Sequence, residues 1–310
     1  TDLSTTWQAK RETPFSQAER EAFKRQIVEA QKQREADERA RHAEAAEKAA
    51  QIWKAETPAH DDFPYLLRKG IKANGARLHN GLLVIPMRDG GKICSLQFID
   101  ADGSKKFLPG GRVTGCYFSL GTTKGAAALC VCEGYATAAS IHEATGYPVA
   151  VAFNAGNLEA VAKALRDKFP DLRLILCGDF DKSGTGQKAA TKAAQSVGGL
   201  VALPNFTIDE MASDNPPSDY NDLAKLSGLE AVQKSVANAK APDEAQGQVD
   251  AGNPAEVDYE GWPEPLPIPC SLLPVMPFDD ELLPMALRSW VTDIADRMQC
   301  PPDFPAVGAM

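Results

Sequence analysis

Seven cysteines occur in the chain, and no two of them stand in a C-x-x-C pair. An odd set with that spacing builds neither a complete disulfide framework nor a thiolate zinc site. Cys130, Cys132 and Cys177 fall inside apolar runs, where cysteine behaves as a small hydrophobe, and this usage suits a reducing, cytoplasmic compartment. Histidine is scarce: His42, His60, His79 and His142 show no ligand spacing, and no chemistry is assigned to them. The G-x-S-x-G elbow of a serine hydrolase is missing. The glycine-bearing stretch from Gly178 to Lys188 lacks the Gly-Lys-Ser/Thr of a Walker loop, and Asp179 and Asp181 within it would repel a phosphate that brought no metal. No apolar run is long enough to cross a bilayer and no signal peptide precedes the first element, so no membrane partner is expected. The chain opens at Thr1 and stops at Met310 within an apolar stretch, as a piece of a longer protein would.

What is present is unevenly distributed. At 310 residues the chain has room for more than one domain. Its net charge of -9 is the sum of a basic block and an acidic tail. Between His60 and Gly125 lie Arg68, Lys69, Lys72, Arg77, Arg88, Lys92, Lys105, Lys106, Arg112 and Lys124, facing few acids, whereas beyond Ala241 the only basic residues are Arg288 and Arg297. A polyanionic partner is therefore compatible with one region, although the average charge argues against it. Arg88, Lys105, Lys106 and Arg112, which cluster around expected hairpins, are the candidate nucleic-acid contacts. Lys182, the one base within the acidic motifs, joins them.

The pattern divides the chain into five segments. Residues 1–57 read as a helical segment, uninterrupted by Gly or Pro from Ser16 to Lys54, with Ser16-Gln-Ala-Glu19 as a capping box. Residues 58–125 form a basic α+β subdomain: strands over 82–87 and 92–99 join at Arg88-Asp-Gly-Gly91, and further strands run over 105–108 and 116–120. Residues 126–240 alternate β-α-β-α-β-α-β, which predicts right-handed crossovers and a parallel sheet with helices on both faces. Residues 241–269 are an acidic, proline-rich linker, and 270–310 offer one amphipathic helix near 283–298.

The chemistry concentrates where apolar runs end in acid. ALCVCEG delivers Glu133, and LRLILCGDFDKSGTG delivers Asp179 and Asp181. Groups at the carboxyl ends of parallel strands share one crevice. Three carboxylates on one rim repel one another unless a cation lies between them, and hard oxygen ligands around an open site favour Mg²⁺ or Mn²⁺, the ions of phosphoryl chemistry. The segment Ser218-Asp219-Tyr-Asn-Asp222-Leu adds two more acids.

VCEGYATAASI, ILCGDFDKSGTGQKAA and SDYNDL together resemble the Toprim domain of bacterial, phage and plasmid primases, a domain shared with topoisomerases and some nucleases. LLVIPMRDGGKICSLQFID, KKFLPGGR and CYFSLG are similar to the basic subdomain that precedes it in primases, so the resemblance runs from about Phe63 to Ala224. It implies an α/β Toprim (Rossmann-like) fold. It implies Glu133 as general base or acid, Asp179 and Asp181 as holders of Mg²⁺ (or Mn²⁺), and Asp219 or Asp222 as a further metal-side carboxylate. The expected activity is metal-dependent synthesis of RNA primers on single-stranded DNA from NTPs, for a phage, plasmid or integrative element. The tail from Trp262 resembles the opening of a helicase-like domain, which makes a helicase domain or helicase partner the expected associate. Thr137 stands where bacterial primases often carry an Asp four residues after the Glu, and the zinc ribbon of such primases is missing here. Two alternatives share these motifs: a Toprim nuclease using water as nucleophile, and a non-catalytic DNA-binding adaptor that loads a helicase.

Overall fold

The computed structural model describes residues 17–181, 183–213, 216–243, 278–298, 300, 302 and 305–307. The Ser16 cap, Lys182 and the linker expected over 244–269 lie outside the described residues. The chain forms two compact units, Thr1–Asn253 and Pro254–Met310.

Helix α1 spans Gln17–Ala55, 39 residues without a helix breaker. At 1.5 Å per residue it is roughly 60 Å long, more than twice the reach of an eight-residue strand, so only part of it can lie on the neighbouring sheet. The C-terminal part does so: Ala45 and Ala49 are buried against Val84, Leu96 and Leu108, with Ile52 and Trp53 alongside. Alanine at the contact lets helix and sheet approach closely. The earlier turns are exposed, Phe23, Ile27 and Val28 included.

The first sheet has the order β1-β2-β3-β4-β5, with β1 Thr57–Pro58, β2 Arg77–His79, β3 Leu82–Asp89, β4 Lys92–Ile99 and β5 Lys105–Phe107. All its pairings are antiparallel. Gly90 and Gly91, at φ 54° and 88°, close the β3–β4 hairpin, because a two-residue turn that matches strand twist needs positive φ at both positions. Strand β3 is buried on both faces: Val84 faces α1, while Leu83, Ile85 and Met87 enter a core shared with the second sheet.

The second sheet has the order β10-β9-β7-β8-β6, from β6 Phe118–Leu120, β7 Ala128–Cys132, β8 Val149–Val151, β9 Arg173–Cys177 and β10 Leu200–Ala202. Strands β7, β8, β9 and β10 pair in parallel. The sheet is mixed, however, because β6 runs antiparallel to β8 at its edge. The expected strand over 116–120 thus leaves the basic subdomain and joins the sheet that follows it. Phe118 and Leu120 are buried with Val149 and Val151 in one core, and that burial decides the pairing. Helices α4 (Leu158–Lys168) and α5 (Thr185–Val197) cover one face, contacting Leu129, Val131, Leu174 and Leu176. Helices α3 (Tyr135–Thr145) and α7 (Tyr220–Ala237, kinked at Gly228) cover the other over Cys130, Cys132, Ile175 and Cys177. Alternate residues of each strand feed the two cores, which is why these strands read as continuous apolar runs. Short α2 (Pro64–Lys69) adds Tyr65 and Leu66 to the shared core, and α6 (Ile208–Met211) carries a capping box from Thr207 and Glu210. In the second unit, α8 (Met285–Met298) holds a small cluster of Leu283, Val291 and Ala306 against Phe278.

A backbone bridge fastens the first sheet to the second, and a buried amide ties the turn before β6 to the end of β8. Arg88 and Tyr117 exchange backbone hydrogen bonds of 2.9 and 3.0 Å. Asn157, 3% exposed, accepts from the Gly115 N–H at 2.7 Å and donates to the Cys116 and Ala152 carbonyls at 3.0 and 2.8 Å. Replacing Asn157 by Ala strands three buried backbone groups at once. We expect a loss of about 2–4 kcal/mol in urea unfolding, and a loss below about 0.5 kcal/mol would show that this link contributes little to stability.

Candidate active site

Chain order and sheet order cross between β7 and β9. From β7 the chain passes through α3 to β8 on one side, then returns through α4 to β9 on the other. The carboxyl ends of β7 and β9 therefore flank the switch point where open α/β sheets bind ligands. Glu133 directly follows β7 and Asp179 follows β9 by two residues.

Two glycines shape the loop that leaves β9. A Cβ on Gly178 would lie 2.8 Å from Ala190 Cβ, and one on Gly186 would lie 2.6 Å from the Asp179 carbonyl oxygen. The acid loop is thus pressed onto the first turn of α5, and no larger residue fits. The Phe180 N–H donates to Ser218 O at 2.6 Å, drawing in the segment that carries Asp219.

In this setting the two aspartates of D-x-D part ways. Asp179 is largely buried and, among the described residues, its Oδ1 has no hydrogen-bond partner. Burial first, then the charges of Asp219 and Glu133, push its carboxyl up to about 8, with Lys105 opposing. Asp181 faces the other way in energy. Burial works to raise it, but the Ser183 hydroxyl and the N–H groups of Gly186, Ser183 and Thr185 outweigh that and hold it below the usual carboxylate range. Its Oδ1 takes Ser183 N at 2.8 Å and its Oδ2 takes Gly186 N at 3.0 Å, so Asp181 caps the entry to α5. Glu133 is half-buried and raised by burial, opposed by Lys105. Asp181 raises it further, and a hydrogen bond from the Ala155 N–H lowers it.

Asp219 and Asp222 also act as caps. Asp219 is the N-cap of α7 and accepts from Asp222 N at 2.8 Å, while Asp222 Oδ2 accepts from Ser218 N at 3.1 Å. Of the five expected metal-side acids, Glu133, Asp181 and Asp219 lie within electrostatic reach of Asp179. No three His, Cys, Asp or Glu among the described residues are drawn together tightly enough to hold a metal ion. The donor chemistry nevertheless suits a hard cation, because the orphaned Asp179 oxygen needs a positive partner. Thr137 is buried in the first turn of α3 and close to Gly134, leaving no carboxylate at that position.

The basic candidates separate as well. Lys105 and Lys106 lie exposed on edge strand β5, and Lys105 faces the field of Glu133 and Asp179. Arg112 is bound to Asp89 at 2.5 Å and also meets Thr114 O and Cys94 Sγ. Arg88 is half-buried, with its guanidinium 5.6 Å from the Trp53 ring centre and Arg77 4.4 Å from the same ring. Lys182 lies outside the described residues. Sequence reasoning passed over the turn after β8, where Phe153 takes φ 72° and donates its N–H to Glu133 O at 2.8 Å. The run Asn154-Ala-Gly-Asn157 directly after an apolar strand was the available signal.

These assignments predict opposite pH behaviour. A carboxyl raised from 3.8 to about 8 keeps its proton in the folded chain after the unfolded chain has lost it. Without metal, stability should therefore fall as pH rises from about 4 to 8, by at most about 1.4 kcal/mol per unit. Asp179→Asn should abolish that slope. Asp181→Ala should cost about 1–2 kcal/mol at pH 7, a cost that vanishes as pH falls below the ordinary carboxylate range. Urea midpoints in EDTA across pH 4–8 check the first and their extension to about pH 2 checks the second, and parallel curves for wild type and Asp179→Asn would refute the first.

Residues 127–204 match the family model of the Toprim domain, so the chain carries a Toprim domain. It is 35% identical over 222 residues to a DNA primase TraC of Escherichia coli, covering 66% of this chain and 15% of that protein. A second Escherichia coli DNA primase TraC is 36% identical over 197 residues, covering 57% of this chain and 18% of the relative. The chain thus spans less than a fifth of the length of these relatives. Among solved structures, the RNA polymerase domain of Mycobacterium tuberculosis primase DnaG aligns with a TM-score of 0.40 at 18% identity, covering 62% of this chain and 67% of that one.

Proposed function

We propose that the chain is the catalytic core of a DNA primase, joining ribonucleotides into short primers on single-stranded DNA. The observation that carries this reading is the buried, unpartnered Asp179 oxygen at the sheet's switch point, beside Glu133 and under an exposed lysine edge. The Toprim match and the similarity to DNA primases support the choice among Toprim chemistries. The whole protein is read as part of a phage, plasmid or integrative-element replication system, working with a helicase domain or partner in the cytoplasm.

Each residue has a task that its surroundings permit. Glu133, raised by burial and oriented by the Ala155 N–H, takes the proton from the attacking 3′-hydroxyl. Asp179, with Asp219 nearby, would hold Mg²⁺ or Mn²⁺, which would supply stabilisation of the charge that develops in the displacement. Asp181 keeps the loop in place through its four hydrogen bonds. Lys105 offsets the negative field of the two neighbouring carboxylates and faces the position a triphosphate would take. Lys106 extends the positive edge toward the template backbone, a salt-sensitive and sequence-tolerant contact.

Glu133→Gln should lower primer synthesis about 10²–10⁴-fold, with single-stranded DNA affinity within a few-fold of wild type. The assay is gel-resolved primer synthesis with single-stranded DNA, NTPs and Mg²⁺. A wild type that makes no primers but nicks DNA with Mn²⁺ alone would replace this reading with a nuclease. Alanine at Lys105 and Lys106 together should reduce the salt dependence of DNA binding by about one unit for each phosphate that a lysine no longer neutralises. An unchanged slope would show that these lysines only solvate the surface.

A further inference from the structure

Gln187 lies in the first turn of α5 and is only 4% exposed. Its Nε2 donates to the Asp181 carbonyl oxygen at 3.4 Å. That contact fixes the carboxamide, because turning it over would set oxygen against oxygen. Oε1 is consequently held in a buried position with no donor among the described residues, the same condition as Asp179 Oδ1. Both belong to one loop: Asp179 packs directly on Gly186, the neighbour of Gln187. Asp181, between them in sequence, has both oxygens engaged by backbone N–H groups. Among the described residues, the buried side-chain oxygens left without a partner in this loop are one carboxylate and one amide, a donor pair that suits a hard divalent cation.

We propose that Gln187 Oε1 is a neutral oxygen donor in the coordination sphere of the cation held by Asp179, as a ligand or as acceptor from an ion-bound water. The inference deepens the metal assignment made above and rests on it. Neutrality has a physical purpose here. Asp219, Glu133 and Asp181 already raise Asp179, and another carboxylate would add to that repulsion. An amide supplies coordination without charge.

The test is Mn²⁺ binding to the full chain, followed by electron paramagnetic resonance of free Mn²⁺ without DNA or nucleotide. Gln187→Met keeps the length and removes the oxygen, and it should raise the Mn²⁺ dissociation constant about 10–100-fold while melting like wild type in EDTA. Gln187→Glu keeps an oxygen and should bind Mn²⁺ at least as tightly as wild type. If the Met variant fails to fold, Gln187→Asn, which withdraws the oxygen, takes its place with the same expected loss. Wild-type affinity in a folded Met or Asn variant overturns the inference, and so does equal weakening in Met and Glu, which would point to the Nε2 contact instead. A Gln187-dependent Mn²⁺ site in a chain that makes no primers would leave the inference standing and sink the primase reading. A wild type that binds no Mn²⁺ would sink both.

Discussion

A carboxylate buried beside other carboxylates organises this protein. Asp179 sits where β9 ends, with one oxygen lacking a partner among the described residues and its proton affinity raised by burial, Asp219 and Glu133. Such a group is tolerated only if a proton or a cation shares the site, so the chain around it must be rigid enough to keep it in place. Gly178 and Gly186 provide that rigidity through contacts that leave no room for a Cβ. Asp181 secures the next turn by capping α5, and the Phe180–Ser218 hydrogen bond brings in the N-terminus of α7. Three acids thus hold up the scaffold from which a fourth acts.

The two sheets meet in one backbone bridge and share one core. Met87 and Ile99 from the first lie with Cys130 and Val151 from the second. The Arg88–Tyr117 bridge then sets the register between them. This arrangement brings Lys105, on an edge strand of the first sheet, into the field of acids on the second. A positive edge beside a negative crevice is the charge arrangement that the proposed primase reaction calls for.

The basic block is less uniform than its composition implies. Arg112 is engaged by Asp89, and Arg77 and Arg88 share the Trp53 indole supplied by α1. Guanidinium planes stack well on aromatic faces, and these two arginines thereby tie the long helix to the sheet. The lysines of β5, lacking such anchors, remain at the surface.

Much of this was written locally in the chain. The strand ends that carry Glu133 and Asp179, the helices between them and the β3–β4 hairpin follow from apolar runs, glycine positions and acid placement, all short-range signals. Pairing was not written locally. Strand β6 has the same alternation whichever sheet it joins, and only the burial of Phe118 and Leu120 with β8 placed it at the edge of the second. The difference between Asp179 and Asp181 was equally hidden, since the motif spells them alike. Burial and hydrogen-bond supply belong to the folded environment and not to the residue type, so tertiary structure alone made one aspartate a cap and left the other open.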